Sequence, residues 1–144
     1  MSTRAIYTFK GYHCEHYGSQ GDRFPPCHIY KHGDGYPTGA ADAIQAATKF
    51  AWEAPRFEAD EFAAAFVAAN NGGSGDIRIV PWGLAPHQFA SDIAYRYEIF
   101  PDPAGVVQVT AFKTKWWNDP ISETQLWTGP LSEFVRVAET IEGD

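Results

Sequence analysis

A chain of 144 residues with 44% hydrophobic and 20% charged side chains has the size and composition of one globular domain with a single core, which argues against a disordered chain and a membrane-embedded one. Its formal charge of −7 repels phosphate and argues against direct, sequence-independent binding of nucleic acid. Aromatic residues make up 15%, enough for a core and for some rings to reach the surface.

Residues Thr3–Tyr12 set Ala5, Tyr7 and Phe9 against Arg4, Ile6, Thr8 and Lys10, the two-residue period of a strand. Cys27–His32 reads as its hairpin partner, and the polar stretch His13–Pro26 between them is longer than a tight turn requires and reads as an inserted loop. Gly33-Asp34-Gly35-Tyr36-Pro37 ends the second strand. Thr38 is then placed to cap a helix running to about Trp52, with Ile44, Ala47, Phe50 and Ala51 facing inward. Pro55 separates it from a second helix, Ala59–Asn70, which has acids in its first turn, Phe62, Phe66 and Val67 on its buried face, and an Asn-Asn-Gly-Gly stop. Asp76–Val80, Asp92–Phe100 and Val106–Trp117 alternate as strands of an antiparallel meander. A short strand at Thr124–Trp127 precedes a helix begun by Pro130, with Leu131, Phe134, Val135, Ala138 and Ile141 on one side.

The order β-β-α-α-β-β-β-β-α predicts an α+β fold, an antiparallel sheet with helices packed on one face, spanning residues 1–144 as a single domain. The opposite face is expected to be partly wet, with surplus aromatic rings available for binding. No run approaches the roughly 18 apolar residues of a membrane span, and Met1-Ser2-Thr3-Arg4 leads into a strand pattern without a secretion core. The expected location is cytoplasmic, without membrane contact.

The densest group of chemically capable side chains lies at the first strand-to-helix junction, Tyr30-Lys31-His32-Gly33-Asp34-Gly35-Tyr36-Pro37-Thr38-Gly39. Glycines there admit close approach by a ligand, the following helix offers unpaired N–H groups, and Lys31 and His32 supply charge or proton transfer. The glycine spacing matches neither the dinucleotide fingerprint nor the phosphate loop. The competing reading is a turn in which glycines supply positive φ and Asp34 bonds its own backbone. Lys31, His32, Asp34 and Tyr36 are therefore candidate ligand- or partner-binding residues, with no catalytic residue assigned.

The same segment carries a resemblance. Ser2-Thr3-Arg4-Ala5, Ile29-Tyr30-Lys31-His32, Asp34-Gly35-Tyr36-Pro37, Gly39-Ala40-Ala41, Phe57-Glu58-Ala59-Asp60 with Phe62-Ala63-Ala64-Ala65-Phe66, and Tyr95-Arg96-Tyr97-Glu98 together resemble an uncharacterised family of small proteins of phage and mobile elements. His13–Pro26 departs from the shorter turn of that family. The resemblance implies an accessory phage or prophage product, a group rich in non-enzymatic binders of host proteins, and assigns no activity to any residue.

Two further groups stand out. Cys14, His16, Cys27 and His28, with His13 and His32 nearby, are the donor types of a zinc site. Their spacing lacks the paired Cys-x2-Cys or His-x3-His pattern, so no metal or cofactor is expected, and Cys14 and Cys27 remain open to a disulfide under oxidation. Trp116 and Trp117 are adjacent on an expected strand and point to opposite faces unless a bulge or bend intervenes, so one ring is expected at the surface beside Lys113 and Lys115, as a protein-binding hot spot or a stacking platform; the competing reading, and the preferred one, packs it beneath a helix or loop. The expected function is a phage-type non-enzymatic binding module, an inhibitor of a host or defence protein, acting through the aromatic sheet face, the inserted loop or an acidic helix. The alternative is a small enzyme or ligand-binding domain centred on Lys31, His32 and Asp34.

Overall fold

The computed structural model describes residues 3–11, 13–14, 18–19, 26–53, 56–72, 76–81, 83–117 and 121–143. In chain order the elements are β1 (Ala5–Phe9), β2 (His13–Cys14), β3 (Gly18–Ser19), β4 (Cys27–Lys31), α1 (Pro37–Ala47), α2 (Ala59–Asn70), β5 (Ile77–Ile79), α3 (Pro86–Phe89), β6 (Tyr95–Pro101), β7 (Val107–Lys115), β8 (Ser122–Pro130) and α4 (Leu131–Gly143). Strands β2 and β3 form a ribbon of their own, and the other six make one sheet in the order β5-β4-β1-β6-β7-β8.

The fold is α+β as expected, but the sheet is mixed. Strand β1 pairs antiparallel with β4, Tyr7 opposite Ile29, and parallel with β6, Tyr7 opposite Tyr97. The expected meander holds only for β6, β7 and β8; β5 lies at the far edge, paired with β4. The element order also gains the β2–β3 ribbon and the short helix α3. The cause is the route from β5 to β6. Instead of turning back as a hairpin, the chain crosses the sheet on the side away from the long helices. Val80, Leu84, Phe89, Ala90 and Ile93 of this crossing pack on Ile6, Tyr30 and Trp116. It then enters beside β1 running in the same direction. Strand periodicity is the same for parallel and antiparallel pairing, so the alternating pattern could not distinguish them.

Helices α1, α2 and α4 cover the other face. Tyr7 and Phe9 of β1, Tyr97 and Ile99 of β6, and Val109 and Ala111 of β7 meet Ala40, Ile44 and Ala47, Phe62 and Phe66, and Phe134 and Ala138 in one cluster. Phe66 is fully buried, with its ring 4.6 Å from Tyr7 and 5.3 Å from Phe9. Burying a side chain of this size stabilises the fold by about 1.5–3 kcal/mol. Val135, expected in this core, is half-buried at its edge.

Helix α2 has its expected bounds. Helix α1 ends at Ala47, short of the expected Trp52, because the next three N–H groups, from Thr48 to Phe50, turn to carbonyls three residues back. That tighter turn rotates Phe50 outward, 62% exposed rather than inward. Nor does Thr38 cap α1. Tyr36 occupies the cap position with Pro37 first in the helix, and the Thr38 hydroxyl donates to Glu142 at 3.0 Å, tying α1 to α4. Strand β8 is longer than expected and accommodates a register shift opposite Ala111 and Phe112. Among the described residues, no helix is long and apolar enough to cross a membrane.

Candidate functional site

The turn from β4 into α1 is packed too closely for side chains at two of its glycines. A Cβ on Gly35 would lie 2.7 Å from the Ala5 Cβ, and one on Gly39 would lie 2.1 Å from the Asp34 carbonyl oxygen. Asp34 itself has φ of 56°, a left-handed conformation that Asp tolerates better than most residues. The Gly35 N–H donates to the Thr3 carbonyl at 2.9 Å, and the buried Tyr97 hydroxyl donates to the Gly35 carbonyl at 2.6 Å. The turn is thus held from the segment leading into β1 and from β6.

This rigid turn forms one wall of a cavity of about 410 Å³. Lys31, Asp34 and Tyr36 line it from the turn, Asp42 from α1, and Asn70 from the end of α2. Lys31 is 8% exposed; its Nζ donates to the Gly33 carbonyl at 2.8 Å, and no carboxylate pairs with it within 4 Å among the described residues. The Tyr36 hydroxyl donates to Asp34 Oδ1 at 3.1 Å, and that bond and charge raise the Tyr36 phenol above its ordinary value. Asn70 Nδ2 is committed to the carbonyls of Ala43 and Phe66. The cavity therefore offers an ammonium with donors to spare and two carboxylates, a setting for a polar, hydrogen-bonding ligand. No family model, curated protein or solved structure matches this chain.

His32 does not join this group. Lys31 sits opposite Ala5 on the helix side of the sheet, so the next side chain falls on the opposite side. There His32 Nδ1 bonds the Tyr30 hydroxyl at 2.8 Å, next to the smaller cluster that contains Tyr30 and Trp116. The trio Lys31, His32 and Asp34 is split across the sheet, and proton transfer from His32 to a ligand beside Lys31 has no route through this geometry.

Behind the turn, Tyr7 and Tyr97 stack at 5.3 Å. Burial raises both phenols above their ordinary range, with the Asp34 charge adding to the effect at Tyr7. Tyr97 has a hydrogen-bond partner, whereas the Tyr7 hydroxyl is buried without one among the described residues.

Of the candidate zinc ligands, the side chains of Cys14 and His16 lie outside the described residues. Cys27 and His28 are consecutive in β4: Cys27 packs on the helix-side core, while His28 Nδ1 bonds Thr8 Oγ1 at 2.8 Å on the other face. The two do not converge as ligands from one face. Among the described residues no three His, Cys, Asp or Glu side chains come together in a way that would hold a metal ion. The tryptophans lie in the turn just after β7, outside the strand expected to carry them; Trp116 is 6% exposed in the smaller core and Trp117 61% exposed, with exposed Lys113 and Lys115 before it in the chain.

Sequence reasoning missed a polar row on the sheet face away from the long helices. Register places His28, Thr8, Glu98, Thr110 and Thr128 side by side across successive strands, with Thr110 and Thr128 bonded at 2.8 Å. Arg96, one row away, pairs with Glu98 at 3.6 Å and with Glu123 at 2.6 Å, while its guanidinium lies 4.3 Å from the Phe112 ring centre. Lys10 pairs with Glu98 as well. Burial and then the Arg96 charge lower the His28 pKa, against an opposing pull from Glu98. The alternation of Arg96 and Glu98 was legible, but their partners, Lys10 just past β1 and Glu123 on β8, come from pairing that the pattern does not specify.

Proposed function

We propose that the protein is a non-enzymatic binding module, a phage-type accessory protein that docks on a host or defence protein and inhibits it. The observation that carries this reading is Trp117. It stands 61% exposed directly after Trp116, which is anchored at 6% exposure, so the exposed ring projects from a fixed base. Exposed Lys113 and Lys115 precede it at the end of β7 and give a patch that is apolar at the ring and basic beside it. Such a patch suits a partner with a hydrophobic pocket rimmed by carboxylates. The separation of His32 from Lys31 and Asp34 supports the same reading, since it removes the proton-transfer group from that cluster.

A second reading is favoured by the cavity of Lys31, Asp34 and Tyr36, a pocket for a small polar ligand without the proton-transfer role expected of His32. Capture from a host lysate, compared between the natural chain and Trp117→Ala by quantitative mass spectrometry, decides between them. Loss of the captured protein, with the melting temperature unchanged, supports the docking reading. Undiminished capture by Trp117→Ala removes it and leaves the cavity as the place to look.

A further inference from the structure

Strand β4 runs past β5 at its N-terminal end, so Cys27 and His28 lie beyond the β5 pairing, and the Val80 N–H closes onto the His28 carbonyl at 3.0 Å. Beside this step is a cavity of about 640 Å³, within the range of small-molecule sites. Ile79, Val80 and Leu84 contribute aliphatic wall, and Cys27, His28 and Asp60 supply its polar groups. Ile79 is 69% exposed, a large aliphatic side chain left in water at this cavity, where an apolar occupant would cover it.

The charge in this cavity is one-sided. Asp60 lies in the first turn of α2 and makes no ion pair among the described residues; its neighbours Glu58 and Glu61 are engaged by Arg56 and by the Trp52 N–H. The proximity of Asp60 to Cys27 is felt electrostatically, since burial first and the Asp60 charge second raise the Cys27 pKa, which keeps the sulfur a neutral thiol. His28 is neutral near pH 7, its pKa lowered by burial and Arg96, and with Nδ1 committed to Thr8 it has its other ring nitrogen free of that bond. Asp60 is then the single formal charge among the described lining residues. An anion would be repelled, a neutral molecule would gain only the apolar contact, and a cation would gain both.

We infer that this cavity binds a small apolar molecule carrying one amine-type cation, its hydrocarbon against Ile79, Val80 and Leu84 and its ammonium beside the Asp60 carboxylate. The site is separate from Trp117 and stands or falls independently of the docking surface.

The test is a titration of the isotopically labelled full chain at pH 7 with hexylamine, hexanol and hexanoate, followed by amide chemical shifts. Hexylamine is expected to produce saturable shifts centred on Ile79, Val80, Leu84 and His28. Hexanol should bind the same residues more weakly, by up to about fivefold, the range of an exposed ion pair, and hexanoate should bind most weakly. Asp60→Asn should bring hexylamine down to the level of hexanol and leave hexanol unchanged, which also verifies that the variant is folded. The inference is overturned if none of the three gives saturable shifts at these residues, if hexanoate binds as well as hexylamine, or if the preference for the amine survives Asp60→Asn. It is equally overturned if hexylamine shifts scatter over the acidic surface.

Discussion

On the face carrying α1, α2 and α4, side chains from strands and helices merge into one core with Tyr7, Phe66 and Tyr97 near its centre. The opposite face is covered in pieces: a small cluster of Ile6, Tyr30, Val80, Ile93 and Trp116 beneath the β5–β6 crossing, then a row of threonines and ion pairs around Arg96 and Glu98. Regular helices present a continuous apolar stripe and close a face completely. A single crossing segment covers only the strands beneath it, and polar side chains must satisfy one another over the rest. The two faces therefore differ in how much apolar burial they supply, the first a continuous core with a polar cavity at Lys31 and Asp34 beside it, the second a small cluster and a row of paired polar groups.

The sharpest way to break this comparison is to empty one site on each face. Phe66→Ala should cost about 3–5 kcal/mol, the usual range for a core aromatic, and Phe89→Ala, half-buried at the rim of the smaller cluster, distinctly less. Equal losses in denaturant unfolding would show that the second face carries as much stability as the first.

A smaller effect sharpens the account of the helix-side core through its two stacked phenols. Tyr7→Phe removes a buried hydroxyl that has no partner among the described residues and should stabilise the protein by about 1 kcal/mol or more. Tyr97→Phe removes the bond that holds Gly35 and should destabilise it by about 1 kcal/mol. The opposite signs are the diagnostic, and a loss of stability in Tyr7→Phe would mean that its hydroxyl is satisfied.

The smallest effect probes the polar face through pH. Because burial and Arg96 lower the His28 pKa, the folded chain binds that proton less tightly than the unfolded one. Stability contributed by neutral His28 is present above the unfolded value of about 6.5 and is lost as pH falls through it toward the folded pKa, levelling off below. The drop in melting temperature between about pH 7.5 and 5.5 should accordingly be smaller in His28→Gln than in the natural chain; identical drops would place the acid sensitivity elsewhere.

How much of this was legible varied with the range of the cause. Helix α2 could be bounded from sequence because its acidic first turn and its Asn-Gly stop are local signals. The end of α1 could not, since Phe50 turns outward through a tightening of backbone bonds over the final turn. The candidate cavity was half legible: Lys31, Asp34 and Tyr36 belong to the turn that drew attention, but Asp42 and Asn70 reach it from helices. His32 was grouped with Lys31 because the two are neighbours in the chain, although the two-residue period of a strand already sends them to opposite faces.

By itself the sequence determined the α+β class and the apolar faces of β1 and α2, because each depends on periodicity within one element. Only the tertiary structure decided that β1 and β6 run parallel, that β5 lies at the sheet edge beside an apolar cavity, and that Arg96 meets carboxylates from β6 and β8. Those outcomes depend on which strand lies beside which, and that was set by the route of the β5–β6 crossing over Ile6, Tyr30 and Trp116, a long-range burial of apolar surface that no single element's pattern encodes.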